Sequence, residues 1–217
     1  MRIHRSSLAA ALLACLLFLS RESRAEPHAR DGFYLQLATG LGAAFWHSSG
    51  HNPHYTPALD FSGTQSGAGL NGSLLLGLPL RPGLSLGVGG LASTIAITSS
   101  THETQDENPQ LQLFGAVGPF VDFYPTPTSG WHVQALVGYA ALGEGHSNTN
   151  PPNGIGLMAG VGQDWWLSDR WSVGILARVV YASTHLTGAP YPDHVGGSFS
   201  EHDTLLSPSV EASFTFH

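Results

Sequence analysis

The sequence contains no lysine and only one cysteine, and charged residues make up 11% of its 217 positions. In an average soluble domain about a quarter of the residues are charged. The low charge is therefore unusual for a surface that meets only water. The basic residues are eight arginines against fifteen acidic residues. This balance excludes nucleic-acid binding through phosphates, which requires a basic surface.

The N-terminus carries the signs of an export signal. Residues 1–25 begin with Arg2 and Arg5, continue with an apolar run at 8–19 and end on Ala25. This order of basic, apolar and small residues is typical of a secretory signal peptide. It predicts cleavage after Ala25 and one domain at 26–217. An alternative cut precedes Cys15, where Leu-Leu-Ala-Cys is similar to a lipoprotein signal.

Cleavage after Ala25 would also change the chemistry of the chain. It removes the cysteine and leaves four arginines against fourteen acidic residues, a net charge of −10. An exported chain of this kind uses neither a disulfide nor a thiol nucleophile.

Beyond residue 25 the main signal is alternation with period two. It is clearest in a predicted hairpin at 154–184, whose turn is 168–170. Apolar residues occupy every second position of the second strand of this hairpin: Trp171, Val173, Ile175, Ala177, Val179 and Tyr181. Small or polar residues fill most of the positions between them. Such a pattern indicates a strand with two different surroundings.

The same alternation predicts eight strands along the chain. They lie at 33–45, 67–80, 84–97, 110–124, 131–142, 154–167, 171–184 and 203–216. The connections alternate between short turns and long polar loops. An even number of antiparallel strands with this alternation is what a transmembrane barrel requires. We therefore predict an all-β, eight-stranded, antiparallel up-and-down transmembrane β-barrel, with β-bulges at Pro79, Pro119 and Pro208, because proline cannot donate to a strand ladder.

The predicted strands assign an outer and an inner face. Leucines and valines point outward into hydrocarbon, and glycines and small polar groups line the lumen. Aromatic residues near the strand ends form interfacial girdles in this interpretation. The predicted girdle residues are Trp46, Trp131, Tyr139, Trp165, Trp171 and Tyr181. Trp166 is expected to pack inside the lumen.

Charged residues at inward positions need partners or water. Five polar residues are predicted to face the lumen: Asp122, His132, Asp164, Arg178 and Glu211. Arg178 and Glu211 lie on neighbouring strands at matching heights. We hypothesise that they form a salt bridge that plugs the lumen; the alternative is that waters separate them.

The last strand carries a family resemblance. The alternation of Val210, Ala212, Phe214 and Phe216 at the chain end resembles the C-terminal signal of Gram-negative outer-membrane barrels. With the strand count and the signal peptide, the chain resembles the small barrels of the OmpA and OmpX type. The departure is His217, since such proteins usually end on the aromatic residue.

The resemblance implies a location in the outer membrane of a Gram-negative bacterium and recognition of Phe214 and Phe216 by the barrel-assembly machinery. The expected partners are outer-membrane lipid and lipopolysaccharide, with no nucleic acid, no cofactor and a monomeric state. Family members that bind peptidoglycan carry a further segment after the barrel. The sequence has none, which predicts no cell-wall anchor.

The long connections predicted from the sequence are rich in histidine and acids. The histidines are His47, His51, His54, His102, His146, His185, His194 and His202, and the acids are Glu103, Asp106, Glu107, Glu144, Asp193, Glu201 and Asp203. Imidazole and carboxylate ligands suit Zn²⁺ or Cu²⁺. No defined ligand spacing occurs, so no metal site is predicted, and His47, His51 and His54 are the weak candidates.

Three functions remain open from the sequence. The favoured one is a non-enzymatic barrel that supports the envelope or binds through its long loops. The second is a narrow passive, porin-like channel. The third is a lipid A-modifying hydrolase, because His47-Ser48-Ser49 and His146-Ser147-Asn148 are similar to the His-x-Ser-Asn pattern of lipid A deacylases. The first motif lacks the asparagine and the second lacks the spacer.

Overall fold

The chain folds into a closed barrel of eight strands. The computed structural model describes residues 30, 32–52, 59–100, 111–126, 129–144, 151–188 and 199–217. The strands are β1 (Tyr34–Asn52), β2 (Leu59–Arg81), β3 (Leu84–Ser100), β4 (Leu111–Phe123), β5 (Trp131–Glu144), β6 (Asn153–Trp166), β7 (Trp171–Gly188) and β8 (Phe199–Phe216). Each strand pairs antiparallel with the next, and β1 closes the barrel against β8. The predicted fold class is confirmed.

The two ends of the barrel differ. The connections β2–β3, β4–β5 and β6–β7 lie at one end with both ends of the described chain, and we name this the turn end. The other connections lie at the opposite, loop end. The described residues include no helix long and apolar enough to cross a membrane. The predicted signal peptide, 1–25, lies outside these residues.

Several strands are longer than the sequence predicted. Residues 46–66 were predicted as a loop, but β1 and β2 continue through most of this segment in one unbroken register, from Tyr34 opposite Gly77 to Asn52 opposite Leu59. β7 and β8 likewise extend to Gly188 opposite Phe199. The prediction was wrong because these segments carry no apolar row on their outer face, so their polar composition resembles that of a loop.

Side chains alternate between the outside and the lumen as predicted. On β8, Val210 is 60% exposed on the outside, whereas its neighbour Glu211 is 5% exposed inside. Large apolar side chains, among them Leu41, Leu70, Val117 and Ile155, are exposed on the outer face of other strands. The outer surface therefore carries a belt of apolar side chains, and such a belt is favourable only next to an apolar environment.

The lumen is more apolar than predicted. Its turn end is mostly polar, as described below, but an apolar cluster extends from the level of Leu75, opposite Gln36, towards the loop end. Members of the cluster include Leu75, Ile95, Phe114, Leu136, Leu142, Met158, Val180 and Leu205. The interior of an eight-stranded barrel is narrow enough for side chains to fill it. Large apolar residues thus occupy the space that the sequence assigned to glycines and small polar groups.

Inward glycines make room for this packing. A Cβ at Gly162 would overlap the imidazole of His132, and a Cβ at Gly174 would overlap a carboxylate oxygen of Asp164. Close approach of a neighbouring group is one reason for glycine inside a strand. These two glycines therefore allow the polar side chains beside them to reach the centre of the lumen.

The three prolines behave differently from one another. The β2–β3 register shifts between Pro79 and Arg81, which agrees with the predicted bulge. Pro119 and Pro208 cause no shift, so those two predicted bulges were wrong. The pairing of Pro119 with β5 and of Pro208 with β1 is interrupted, while the ladder on the other side continues. Pro119 and Pro208 therefore each weaken the pairing with one neighbouring strand and keep the register.

The predicted aromatic girdles need one correction. Trp131 and Trp165 are exposed on the outside at the turn end, and Tyr139 and Tyr181 are exposed nearer the loop end. Trp171 stacks on Phe214 with ring centroids 4.4 Å apart. Trp46, however, is buried in the lumen, with 8% of its surface exposed. The reason is that β1 continues past it, so the alternation that turns Phe45 outward turns Trp46 inward.

Candidate functional site

A network of hydrogen bonds fills the lumen at the turn end, and we name it the lumen network. It consists of Tyr34, Gln36, Asp122, His132, Gln134, Asp164, Arg178 and Glu211, all buried. They come from β1, β4, β5, β6, β7 and β8, where alternation points each of them inward. Polar groups buried at this depth require partners, so the geometry of each pair decides whether the network stabilises the barrel.

Asp122 forms one centre of the lumen network. Its Oδ2 accepts hydrogen bonds from the Tyr34 hydroxyl at 2.5 Å and from Gln134 Nε2 at 3.0 Å. Its Oδ1 accepts from His132 Nδ1 at 2.8 Å. Three donors from β1 and β5 therefore satisfy a carboxylate that is fully buried. The same carboxylate ties opposite walls of the barrel together.

Asp164 forms a second centre nearer the turn end. The Tyr124 hydroxyl donates to its Oδ2 at 2.7 Å, and His132 Nε2 lies 3.7 Å from its Oδ1. The rings of Tyr124 and His132 stack with centroids 4.7 Å apart. Burial, with the nearby carboxylates, raises the pKa of Tyr124 well above its ordinary value of 10. Tyr124 is therefore a neutral phenol that donates its proton to Asp164.

Arg178 joins the network to the middle of the lumen. Its Nη1 donates to Glu211 Oε2 at 2.7 Å and to Ser73 Oγ at 2.5 Å. Its Nη2 donates to Gln134 Oε1 at 2.7 Å and to Gln36 Oε1 at 3.0 Å. A single guanidinium thus bonds side chains from four other strands. The predicted pair Arg178 and Glu211 is in direct contact, with no room for a water between the bonded atoms.

Arg30 and His217 cover the turn end of the lumen network. The Arg30 guanidinium lies 3.6 Å above the ring of Tyr124 and donates to the Ser129 carbonyl at 2.6 Å. The His217 ring packs against Trp166 at 4.9 Å between centroids and shares a 3.1 Å hydrogen bond with Ser172 Oγ. These side chains form a floor at the turn end of the lumen, and Trp166 packs there as predicted.

The burial of His217 predicts a pH dependence of stability. Burial lowers the pKa of His217 to about 3 from an ordinary 6.5. The unfolded chain therefore binds a proton between pH 6.5 and 3 that the folded chain does not, so this contribution is complete above pH 6.5 and is lost as the pH falls towards 3. Unfolding by urea in detergent should show a stability lower by about 2 kcal/mol at pH 4.5 than at pH 7.5.

The control for this prediction is His217→Phe, which keeps a ring beside Trp166 and removes the titration. Carboxylates also titrate in acid, so the variant should lose less stability than the wild type between the two pH values. Equal losses in both proteins would contradict the assignment to His217.

The sequence predicts five members of the lumen network at inward positions, and the structure adds others. Tyr34, Gln36 and Gln134 lie at inward positions of predicted strands, and this parity was the signal that could have found them. Arg30 lies outside the strands, where alternation gives no information, whereas His217 keeps the inward parity of β8 one residue past the predicted strand. Phe214 and Phe216, predicted as an assembly signal, lie on the outer face, and Trp171 contacts both of them.

The weak metal candidates do not converge. His47 and His51 are four residues apart on one face of β1, a separation of about 13 Å. His51 Nδ1 is 2.7 Å from Asp60 Oδ1 at an exposed position. His54 lies outside the described residues. Within the part of the chain that the structure describes, no group of three His, Cys, Asp or Glu side chains is arranged to hold a metal ion.

The predicted loop histidines need a further correction. His47, His51, His185 and His202 lie in strands, as do Glu144, Glu201 and Asp203. The other histidines and acids of that set, and the motif at 146–148, lie outside the described residues. His47 points outward, whereas Ser48 points inward and donates to Asp203 Oδ1 at 2.6 Å. Neighbours on a strand face opposite sides, so this removes Ser48 as a partner of His47, whereas Ser49, the serine of the His-x-Ser match, lies on the same face of β1 as His47.

Comparisons with known proteins support the fold. The sequence matches no protein-family model and no curated protein sequence. Among solved structures, the outer membrane protein OprG from Pseudomonas aeruginosa is similar, with a TM-score of 0.51, 11% identity, and coverage of 88% of this chain and 99% of OprG. Neisserial surface protein A has a TM-score of 0.48 and 14% identity, with 85% and 96% covered. The likeness to OprG shows that this chain has the fold of the small outer-membrane β-barrels.

Proposed function

We propose that the protein is a non-enzymatic β-barrel of a Gram-negative outer membrane, closed to passage, that acts through its loop end at the cell surface. The apolar belt supports the membrane location. Exposed side chains such as Leu41, Val117 and Val210 would meet water in any soluble state of this barrel. Contact with hydrocarbon carries no free-energy cost for such a surface. Closure of the barrel gives the backbone groups at every strand edge a hydrogen-bonding partner.

The filled lumen is the observation that carries this proposal. Arg178 crosses the lumen to bond Glu211, Gln36, Gln134 and Ser73, and the apolar cluster packs beside it and towards the loop end. The floor of Arg30 and His217 lies at the turn end. Buried side chains along the lumen favour a closed barrel over the passive channel.

The extended strands support a role at the surface. β7, β8, β1 and β2 have 18 to 23 residues, whereas β4, β5 and β6 have 13 or 14. About 9 to 11 tilted residues are enough to cross a bilayer. The four neighbouring strands therefore stand above the membrane as a sheet, with His47, His185 and His202 on its outer face. We propose this sheet, with the connections it carries, as the surface that binds partners.

Planar-bilayer recordings test the closed state. The purified barrel should insert without producing conductance steps, and its insertion should be verified by the heat-modifiable gel shift of a folded barrel in recovered vesicles. Reproducible single-channel steps from folded protein would contradict the proposal and favour the channel.

A further inference from the structure

Asp203 of β8 is a buried carboxylate at the loop end of the lumen. It is 1% exposed. Trp46 Nε1 donates to its Oδ1 at 3.1 Å, and Ser48 Oγ donates to the same oxygen at 2.6 Å. Its other oxygen, Oδ2, has no hydrogen-bond partner among the described residues. A buried carboxylate oxygen without a partner destabilises a folded protein, so a ligand bound to Oδ2 would stabilise the barrel.

Thr184 places a second bare oxygen beside Asp203. The two residues are directly opposite each other in the β7–β8 ladder, and both side chains point inward. The Thr184 hydroxyl is buried, and no partner for it occurs in the part of the chain described. Ser48 is opposite Asp203 on the β1 side. Oxygen-bearing side chains from β7, β8 and β1 therefore form one row across the inner face of the extended sheet.

The described part of the chain supplies no lysine or arginine to balance Asp203. The sequence has no lysine. Of the described arginines, Arg30, Arg81 and Arg170 lie at the turn end, and Arg178 is bonded to Glu211. Arg178 also precedes Thr184 by six residues of the same strand, a distance of about 20 Å.

Other ionisable groups near the row do not change this balance. Glu201 lies on the same face of β8, two residues nearer the loop end, and adds a negative charge. The described histidines of the neighbouring strands, His47, His51 and His185, point outward, as does His202 of β8 itself. The inner face of the sheet is therefore an acidic, oxygen-rich surface.

We propose that Asp203 Oδ2 and Thr184 Oγ1 bind a hard divalent cation, for which Ca²⁺ is the best probe. Carboxylate and neutral oxygens are the ligands of hard cations, and Ca²⁺ accepts irregular sets of them completed by water. The bound cation balances Asp203 and gives both bare oxygens a partner. It links β7 to β8 above the membrane and so stiffens the surface through which the protein acts.

Thermal unfolding in detergent, without lipopolysaccharide, tests this site. After treatment with a chelator, millimolar CaCl₂ should raise the Tm of the wild type by several degrees. Asp203→Asn should abolish this rise. The matched control is Asp60→Asn, which removes an exposed carboxylate of the same sheet and should leave the rise intact.

The same variant gives a second readout in chelator alone. Asparagine keeps the oxygen that accepts from Trp46 and Ser48, and it places an N–H₂ group beside the Thr184 hydroxyl. Without a cation, Asp203→Asn should therefore be at least as stable as the wild type, and CaCl₂ should reverse the order. Luminescence of Tb³⁺ sensitised by tryptophan should fall in Trp46→Phe and disappear in Asp203→Asn.

Three outcomes would overturn the proposal. One is a wild-type Tm that CaCl₂ does not change. Another is an Asp203→Asn variant that responds to CaCl₂ as the wild type does. The third is an equal rise with NaCl at matched ionic strength, which would assign the effect to screening. An equal rise with MgCl₂ supports the proposal, since both ions are hard divalent cations.

Discussion

Replacing Arg178 with alanine should lower the free energy of unfolding of the barrel by about 3–5 kcal/mol. The substitution removes all four hydrogen bonds of the guanidinium and leaves Glu211 buried without a counter-charge. Removing one partner of a buried ion pair destabilises more strongly than removing both. Urea unfolding of the folded barrel in lipid vesicles, followed by tryptophan fluorescence, measures the loss.

Two controls separate the ion pair from a general loss of an arginine. Arg81→Ala, at an exposed position in the β2–β3 turn, should change stability by no more than about 0.5 kcal/mol. The double variant Arg178→Met with Glu211→Gln should recover most of the loss, because it removes both charges together. If Arg178→Ala alone were as stable as the wild type, the salt bridge would have no structural role.

An arginine in place of Val210 should lower the free energy of unfolding in vesicles by about 2–4 kcal/mol. Val210 is 60% exposed on the outer face of β8. The register sets it in the middle of the apolar belt, opposite Leu41 on one side and Ala177 on the other. Placing a charge in hydrocarbon is costly, whereas the same substitution on a water-exposed face is nearly neutral.

Thr204→Arg provides the matched control for Val210→Arg. Thr204 is on the same strand and the same face, six residues nearer the loop end, beside His47. We place it above the belt, where the cost of arginine falls to about 0–1 kcal/mol. Equal effects at the two positions would show that β8 meets the same solvent along its whole length.

The sequence predicted the architecture because one physical signal repeats in every strand. A strand between hydrocarbon and a narrow lumen must alternate, so Val173, Ile175 and Val179 revealed both the strand and its outward face. The same parity placed Asp122, His132, Asp164, Arg178 and Glu211 inside. Alternation alone was enough to place these residues inside, because every inward position of a closed barrel faces the lumen.

The length of the strands could not be predicted from this signal. Beyond the apolar belt, segments such as 47–52 and 199–204 carry polar residues on their outer face and so lose the apolar row. What sets their conformation is the partner strand, which continues the hairpin in register. Trp46 was misplaced for the same reason, because the predicted end of the strand hid its inward parity.

The sequence also could not predict which side chains of the lumen network bond to one another. Gln134 Nε2 donates to Gln36 Oε1 at 2.9 Å across 98 residues of chain. Which inward side chains meet depends on the stagger between strands, and alternation specifies the face but not the height. Arg178 and Glu211 were an easier case, since they lie on neighbouring strands. His217 continues the inward parity of Ser213 and Thr215, and its backbone N–H bonds the Arg170 carbonyl at 2.9 Å.

Fluorescence quenching of single cysteine labels can show whether the outer face of the barrel meets hydrocarbon. The only cysteine, Cys15, falls in the predicted signal peptide, so Val210→Cys and Thr204→Cys each give a unique labelling site in the barrel. In vesicles, a label introduced by Val210→Cys should be quenched by spin-labelled acyl chains and not by iodide. A label introduced by Thr204→Cys should show the reverse. Quenching of the Val210→Cys label by iodide, with no effect of the lipid quencher, would contradict the membrane assignment.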